Sequence, residues 1–306
     1  MNKILSKIFE RTYFFFKMED RLRFRMRYDQ LMDRALTATE SGTSSERYCD
    51  HEVIVSLTSY SRRILDVAAT IESVMQGSVK PNRIVLWLGE DMQGKVLPVA
   101  LQRQQQRGLE VDFCKDILSY TKLIPSLKKW PEALIITIDD DALYRHDLVE
   151  NLLRDHRENP NDIISGCVYN VEFAKNKKEL LGFRKWLSCT ETGVPSLRHF
   201  LMGVSGVLYP PHCLHEEVFN EEVFTKICKY ADDIWFYAMA VMKGTKTVKC
   251  MTHTDSGTRD FTSNPDVSDM GLWRRNDNFE KGIFGNDAQM KAVFDHYGLY
   301  DKLREE

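Results

Sequence analysis

The chain is expected to fold as an α/β protein, with a mostly parallel central sheet flanked by helices and an N-terminal amphipathic helical segment. Three observations lead there. From His51 onward, apolar β-branched runs alternate with segments of helical periodicity, the pattern of βαβ units. The runs are almost continuously apolar, as strands covered on both faces must be. With 43% hydrophobic and 28% charged residues, the 306-residue chain is of ordinary globular composition and long enough for a large buried core.

The elements follow in order. The first 28 residues hold eight basic side chains against three acidic ones, a net +5 in a chain whose total is −3. Ile4, Leu5, Ile8, Phe9, Tyr13 and Phe16 recur at helical spacing. Two readings fit this segment: contact of residues 1–28 with an anionic membrane surface, or packing on the body or on a second subunit. Arg21 to Tyr28 alternates with period 2, which leaves its conformation open. The small polar run TATESGTSS (37–45) reads as a linker or exposed loop, so the chain divides into residues 1–45 and a main domain of 46–306. The domain then predicts a strand at 52–57, a helix at 64–76 stopped by Gly77, and a strand at 83–88. A helix at 97–107 ending at Gly108, a strand at 109–113 and a short helix at 122–129 follow. A buried strand at 134–138 and a helix at 146–157 come next. Later, a helix runs from Ala231 to near Gly244, a strand from Lys246 to Met251, and a C-terminal helix opens at Asn286-Asp287, where a cap is the simpler reading.

Composition excludes several classes. A net charge of −3 does not make a nucleic-acid binder. No run of 18 apolar residues and no signal-peptide pattern occurs. Seven scattered cysteines without a C-x-x-C pair read as reduced thiols of a cytoplasmic protein.

The strongest chemical signal is the strand that runs directly into Asp139-Asp140-Asp141. Three adjacent carboxylates repel one another unless a cation shares them. On an extended segment Asp139 and Asp141 point the same way, and two oxygens on one side suit Mg2+ or Mn2+. The plainer alternative is a solvated acidic loop before a helix. Thr58, Ser59, Tyr60, Ser61, Arg62 and Arg63 follow the first strand, Glu90 and Asp91 the second, and Asp116 and Lys122 flank the loop after the third. All belong to the edge where open α/β sheets bind ligands. A second acidic pair, Asp232-Asp233, opens a helix in an apolar context, where a carboxylate can act as general base or merely cap. His253 is a candidate further metal ligand. Trp186, Trp235 and Trp273 are either acceptor-stacking surfaces or core.

Seven strings in order carry a resemblance: VSLTSYSRRI, TIESVMQGSVKPNRIVLWL, FCKDILSYTKLIPSL, ITIDDDALY, GVSGVLYPP, ADDIWFYAMA and GNDAQM. Over roughly residues 51–300 the chain resembles bacterial glycosyltransferases of the nucleotide-diphospho-sugar transferase superfamily, family-2-like, with the Rossmann-like GT-A fold. The resemblance implies a metal-dependent transfer of a sugar from a nucleotide-diphosphate sugar, by default a UDP-sugar, to a glycan or glycolipid acceptor, and a single base on the face opposite the leaving group would make that transfer inverting. It implies a setting in surface-polysaccharide synthesis; the basic segment of residues 1–28 lies outside the resemblance, and a peripheral position on the inner face of the plasma membrane is expected from its composition alone. By the same resemblance Asp139 and Asp141 hold the metal, to which His253, by its position after the last strand alone, is a candidate further ligand or a plain surface or core histidine. Thr58, Ser59, Tyr60, Arg62, Asp116, Lys122, Asp140 and Gly206 contact the nucleotide sugar, and Asp233 or Asp232 is the base.

Two rivals share such a fold. A sugar-phosphate nucleotidyltransferase resembles a Gly-rich phosphate loop after the first strand, and SLTSYSRR contains no glycine. A non-catalytic membrane-associated scaffold would have no need of both acid pairs.

Overall fold

The structure, a computed structural model, describes residues 3–175, 179–251, 261–263 and 285–306. His253 and Trp273 lie outside the described residues, as do the side chains of residues 3–17, 20 and 261–263. The strands are β1 (Val53–Thr58), β2 (Arg83–Gly89), β3 (Leu109–Cys114), β4 (Leu134–Thr137), β5 (Ala142–Tyr144), β6 (Ile163–Ser165), β7 (Val168–Asn170), β8 (Pro195–Ser196), β9 (His199–Leu201), β10 (Val207–Tyr209), β11 (Thr247–Lys249) and β12 (Phe261–Ser263). The helices are α1 (Lys3–Thr37), α2 (Val67–Met75), α3 (Val99–Gln105), α4 (Ile124–Lys129), α5 (Leu148–Glu158), α6 (Glu221–Ile227), α7 (Asp232–Lys243), α8 (Asn286–Tyr297) and α9 (Tyr300–Arg304).

Eight strands make one sheet in the order β3-β2-β1-β4-β10-β6-β11-β8. The four strands from β3 to β4 run parallel. β10 is antiparallel to both β4 and β6, β11 is parallel to β6, and β8 closes the edge antiparallel. The expected mostly parallel sheet flanked by helices is therefore what forms. Pro195 sits in the edge strand, where its missing N–H costs no ladder bond.

Alternation along each strand divides the core in two. Ile54, Val85, Trp87 and Ile135 face one layer, built with α4, α7, α8 and α9. Val53, Val55, Leu57, Ile84, Leu86, Leu134 and Ile136 face the other, built with α2, α3 and α5. One polar residue interrupts this pattern in β1. Ser56 is fully buried, and its hydroxyl donates to the Lys122 carbonyl at 2.6 Å and meets Ser126 Oγ at 2.8 Å. Trp87 Nε1 donates to Ser126 Oγ at 2.8 Å. This buried network fastens the turn that carries Lys122 beneath the sheet edge.

The period-2 stretch Arg21–Tyr28 is helical, because α1 continues through it. Phe24, Leu31 and Ala35 are buried one helical face apart, and Phe24 and Leu31 pack with Ala69 and Leu143. Tyr28 Oη donates to Asp66 Oδ1 at 2.6 Å, and Arg27 Nη2 to the Tyr144 carbonyl at 2.5 Å. The C-terminal half of α1 thus packs on the body, one of the two readings of this segment. Among the described residues no helix is long and apolar enough to cross a membrane. The loop after α1 is pinned rather than free: Gly42 is buried with its N–H on the Arg107 carbonyl at 2.8 Å, and Asn82 Nδ2 donates to the Ser44 and Glu46 carbonyls.

Candidate active site at the carboxyl edge of the sheet

β4 ends at Thr137, and the Ile138 N–H donates to the Ser56 carbonyl at 3.1 Å, so the chain leaves the sheet edge at Asp139. The three acids then divide by side. Asp140 turns inward and is 7% exposed. Its Oδ2 accepts from Ser59 Oγ and its Oδ1 from Arg63 Nη1, both at 2.7 Å. Its carbonyl accepts from Thr70 Oγ1 at 3.1 Å. The side chains of Asp139 and Asp141 remain more open, at 29% and 22% exposure. Arg63 Nη2 lies 3.3 Å from Asp141 Oδ2. Burial first, then the charges of Asp139 and Asp140, push the Asp141 carboxyl up to about 7 against the pull of Arg63. Asp140 is the anchor of this turn, and the flanking pair is what faces the edge.

Lys122 joins that pair to the late acids. Its Nζ is 2.9 Å from Asp139 Oδ1 and 3.0 Å from Asp232 Oδ2, the second contact lying outside hydrogen-bond geometry. Burial alone would lower its pKa, but Asp139, Asp232 and Asp233 together raise it well above the ordinary lysine value. Asp232 and Asp233 occupy the first turn of α7, where the helix dipole favours negative charge. Neither caps the helix: the capping position is Ala231, without a side-chain bond. Asp233 Oδ2 accepts the Gly203 N–H at 3.0 Å, while Oδ1 is buried with no hydrogen-bond partner. A Cβ on Gly203 would stand 2.6 Å from Asp233 Oδ1 and 2.9 Å from Lys122 Nζ, so only glycine lets this backbone approach the acids. Burial and the neighbouring Asp232 push the Asp233 carboxyl up to about 7, with Lys122 pulling the other way.

Tyr144 ties the two halves together. It is fully buried; its hydroxyl accepts the Asp139 N–H and donates to the Val204 carbonyl, each at 2.9 Å. The carboxylate turn is thereby fixed to the Gly203–Ser205 turn that binds Asp233. Tyr144→Phe is expected to leave two buried backbone groups unpaired and to lower stability by about 1–3 kcal/mol, read by urea denaturation. An unchanged midpoint would remove the strut.

The other expected site residues divide. Ser59 reaches Asp140 as described. Thr58 Oγ1 donates to the Trp87 carbonyl at 3.0 Å, which ties β1 to β2. Tyr60 is exposed with the Arg63 guanidinium 5.5 Å from its ring centroid, and Arg62 is exposed beside it. Asp116 is exposed, and its Oδ1 accepts the Leu118 N–H at 2.8 Å, holding a turn in which Leu118 has φ 61°. Gly206 has φ 86° at the entry to β10, and a Cβ there would strike Leu148 Cδ1 at 2.8 Å, so its need for glycine comes from the core side. Trp186 and Trp235 are core residues, 5% and 0% exposed. Asp287 does not cap α8; it accepts the Phe183 N–H at 2.6 Å. The sequence names Arg63 only as one of the polar run after the first strand, without a role, and does not single out Tyr144. Arg63 stood in the polar run after β1, and only its position beside buried Ile64 marked it as inward-facing.

Among the described residues, no group of three or more His, Cys, Asp or Glu side chains is gathered to hold a metal ion. Asp139 and Asp141, each beside a protein cation (Lys122 Nζ at 2.9 Å, Arg63 Nη2 at 3.3 Å), carry the donor type that a hard divalent cation takes. They offer carboxylate oxygens only, and burial together with mutual repulsion raises the proton affinity of Asp141, which a cation would relieve.

No family model and no curated protein matches the chain. Among solved structures it is similar to a CMP:2-keto-3-deoxy-manno-octonic acid synthetase complexed with CTP, at 13% identity and TM-score 0.41, over 65% of this chain and 88% of that one. It is also similar to a mannosyltransferase from Pyrobaculum calidifontis in complex with GDP-Man and Mn2+, at 11% identity and TM-score 0.45, over 94% of this chain and 80% of that one.

Proposed function

We propose that the chain is a GT-A-type glycosyltransferase that moves a sugar from a nucleotide-diphosphate sugar to an acceptor hydroxyl, with inversion. The observation that carries the reading is Lys122, a buried cation set between Asp139 of one acidic group and Asp232 of the other. Anionic oxygens and a buried base are thus brought to one point of the sheet edge.

Asp139 and Asp141 would hold Mg2+ or Mn2+, which would neutralise charge on the departing diphosphate. Lys122 can exchange its bonds with Asp139 for diphosphate oxygens, and Arg63 keeps Asp140 and Asp141 in place while that occurs. The donor sugar is placed beside the Gly203 turn, whose backbone carries no side chain of its own and lies against Asp233 and Lys122. Asp233 takes the acceptor proton on Oδ1, the oxygen left without a partner. A single base acting opposite the leaving group gives inversion. A UDP-sugar donor, a glycan or glycolipid acceptor in surface-polysaccharide assembly, and contact of residues 1–28 with the cytoplasmic face of an anionic membrane complete the proposal. The last is supported by the basic composition of that segment.

The test is a melting screen of nucleoside diphosphates with and without Mn2+, followed by an assay of nucleotide-sugar consumption. At a hundredfold excess over Kd the correct diphosphate with Mn2+ adds about 2.7 kcal/mol, a rise of roughly 5 °C. Asp139→Asn should lose the Mn2+-dependent part of that rise. Release of pyrophosphate from a nucleoside triphosphate and a sugar phosphate, without sugar transfer, would replace this reading with a nucleotidyltransferase.

A further inference from the structure

A second cleft lies behind the carboxylate turn, between α1 and the α2–β5 face. It encloses about 430 Å³, within the range of small-molecule sites. Its walls include Arg27, Gln30, Asp33, Arg34, Gln76 and His146.

Arg27 is the anomaly there. Its Nη2 donates to the Tyr144 carbonyl at 2.5 Å, and its Nε is shut from water with no hydrogen-bond partner. Arg27 as a whole is half-buried, and the buried cations described each meet a carboxylate: Arg63 with Asp140 at 2.7 Å, Arg107 with Glu72 at 2.7 Å and Lys122 with Asp139 at 2.9 Å. Arg27 has no such contact among the described residues. Burial and the nearby Arg145 charge both lower its proton affinity. The wall offers it no compensating charge: Arg34 is a second cation, paired outward with Glu40, and the one acid among the lining residues, Asp33, is exposed. A half-buried guanidinium with one N–H shut from water and unsatisfied, and no anion beside it, is costly, and the cleft opening there provides room for one.

We propose that this cleft binds a phosphate-bearing anion, with Arg27 as its main partner and Arg34, His146 and Gln76 around it. Two sources present that chemistry, a free phosphate compound or the headgroup of an anionic phospholipid. The site is independent of the sugar-transfer reading. Its ligand would still be felt there, because Arg27 holds the Tyr144 carbonyl while the Tyr144 hydroxyl holds Asp139.

The experiment is a melting titration of the full chain with inorganic phosphate, in chelator so that no metal takes part. Wild type is expected to rise by about 3 °C at roughly twentyfold excess over Kd, and Arg27→Met to lose the rise. Should Arg27→Met fail to fold, Arg34→Gln combined with His146→Ala removes two exposed wall residues and should lose at least half of it. No rise in wild type, or an equal rise in either variant, overturns the proposal. A parallel arm with phosphatidylcholine vesicles, plain or doped with phosphatidic acid, assigns the source. Capture by doped vesicles that free phosphate reverses points to a headgroup, and a phosphate rise without capture points to a soluble compound.

Discussion

Asp233→Asn is expected to reduce sugar transfer by about 10²–10⁴-fold while leaving the fold and donor binding in place. The substitution is close to isosteric. The amide oxygen can still accept the Gly203 N–H that Asp233 Oδ2 accepts at 3.0 Å, so the turn beside it keeps its bond. What disappears is a proton acceptor at Oδ1, the buried oxygen that nothing in the protein satisfies. Asp232→Asn should do less to the proton-transfer step, because Asp232 serves mainly as a neighbour of Lys122 at 3.0 Å. Single-turnover rates with donor in excess separate the two. If Asp232→Asn proves the more damaging, the base has been assigned to the wrong member of the pair.

The same residue sets a pH dependence. Asp233 accepts a proton only when ionised, and its carboxyl is pushed up to about 7. The transfer rate should therefore climb about tenfold per pH unit below that value and level off above it. Stability runs the other way. A carboxyl whose pKa is raised from 3.8 binds its proton more tightly in the folded state, so its contribution is complete below about 4 and lost as pH rises through about 7. Asp141 adds the same sign over the same window. Metal-free protein should melt lower at pH 7.5 than at pH 5, and the double variant Asp141→Asn/Asp233→Asn should flatten that slope.

The parallel half of the fold was legible because its signals were long. β1, β2, β3 and β4 are near-continuous apolar runs, and Gly77 and Gly108 mark where the preceding helices stop. From Ile163 to Tyr209 the strands are two or three residues each, too short to display a period, and none of them was anticipated. The antiparallel β10 is the consequential one, since it brings the Gly203–Ser205 turn against Asp139 and Asp233. In the site, Asp139, Asp141, Lys122 and the Asp232-Asp233 pair were legible as charges at strand ends and a helix start. The roles of Asp140 and Arg63 were not, because which of several adjacent polar residues turns inward depends on partners distant in sequence. Asp140 meets Ser59 81 residues away, and Tyr144 meets Val204 60 residues away.

Nothing in the pattern of α2 marked Glu72 either, and it carries the largest expected stability effect. Its carboxylate is fully buried and grips Arg107 by two bonds, Nη1 to Oε2 at 2.7 Å and Nη2 to Oε1 at 3.1 Å. Gln104 Nε2 adds a third bond to Oε2 at 3.1 Å, and Arg107 Nε donates to the Glu40 carbonyl at 2.8 Å. One ion pair thus joins α2, the end of α3 and the loop after α1. Arg107→Met leaves a carboxylate buried and unpaired, which should cost about 3–5 kcal/mol, a large part of the roughly 5–15 kcal/mol that holds a typical protein folded. Removing both charges is a different matter. Glu72→Leu with Arg107→Met takes away the desolvation cost along with the attraction, and should recover most of the loss. The midpoints of urea unfolding for wild type, both single variants and the double variant form a cycle that measures the coupling. Additive losses would mean that the pair is incidental to the packing of α1, α2 and α3, whereas a double variant well above Arg107→Met would show the unpaired charge to be what destabilises.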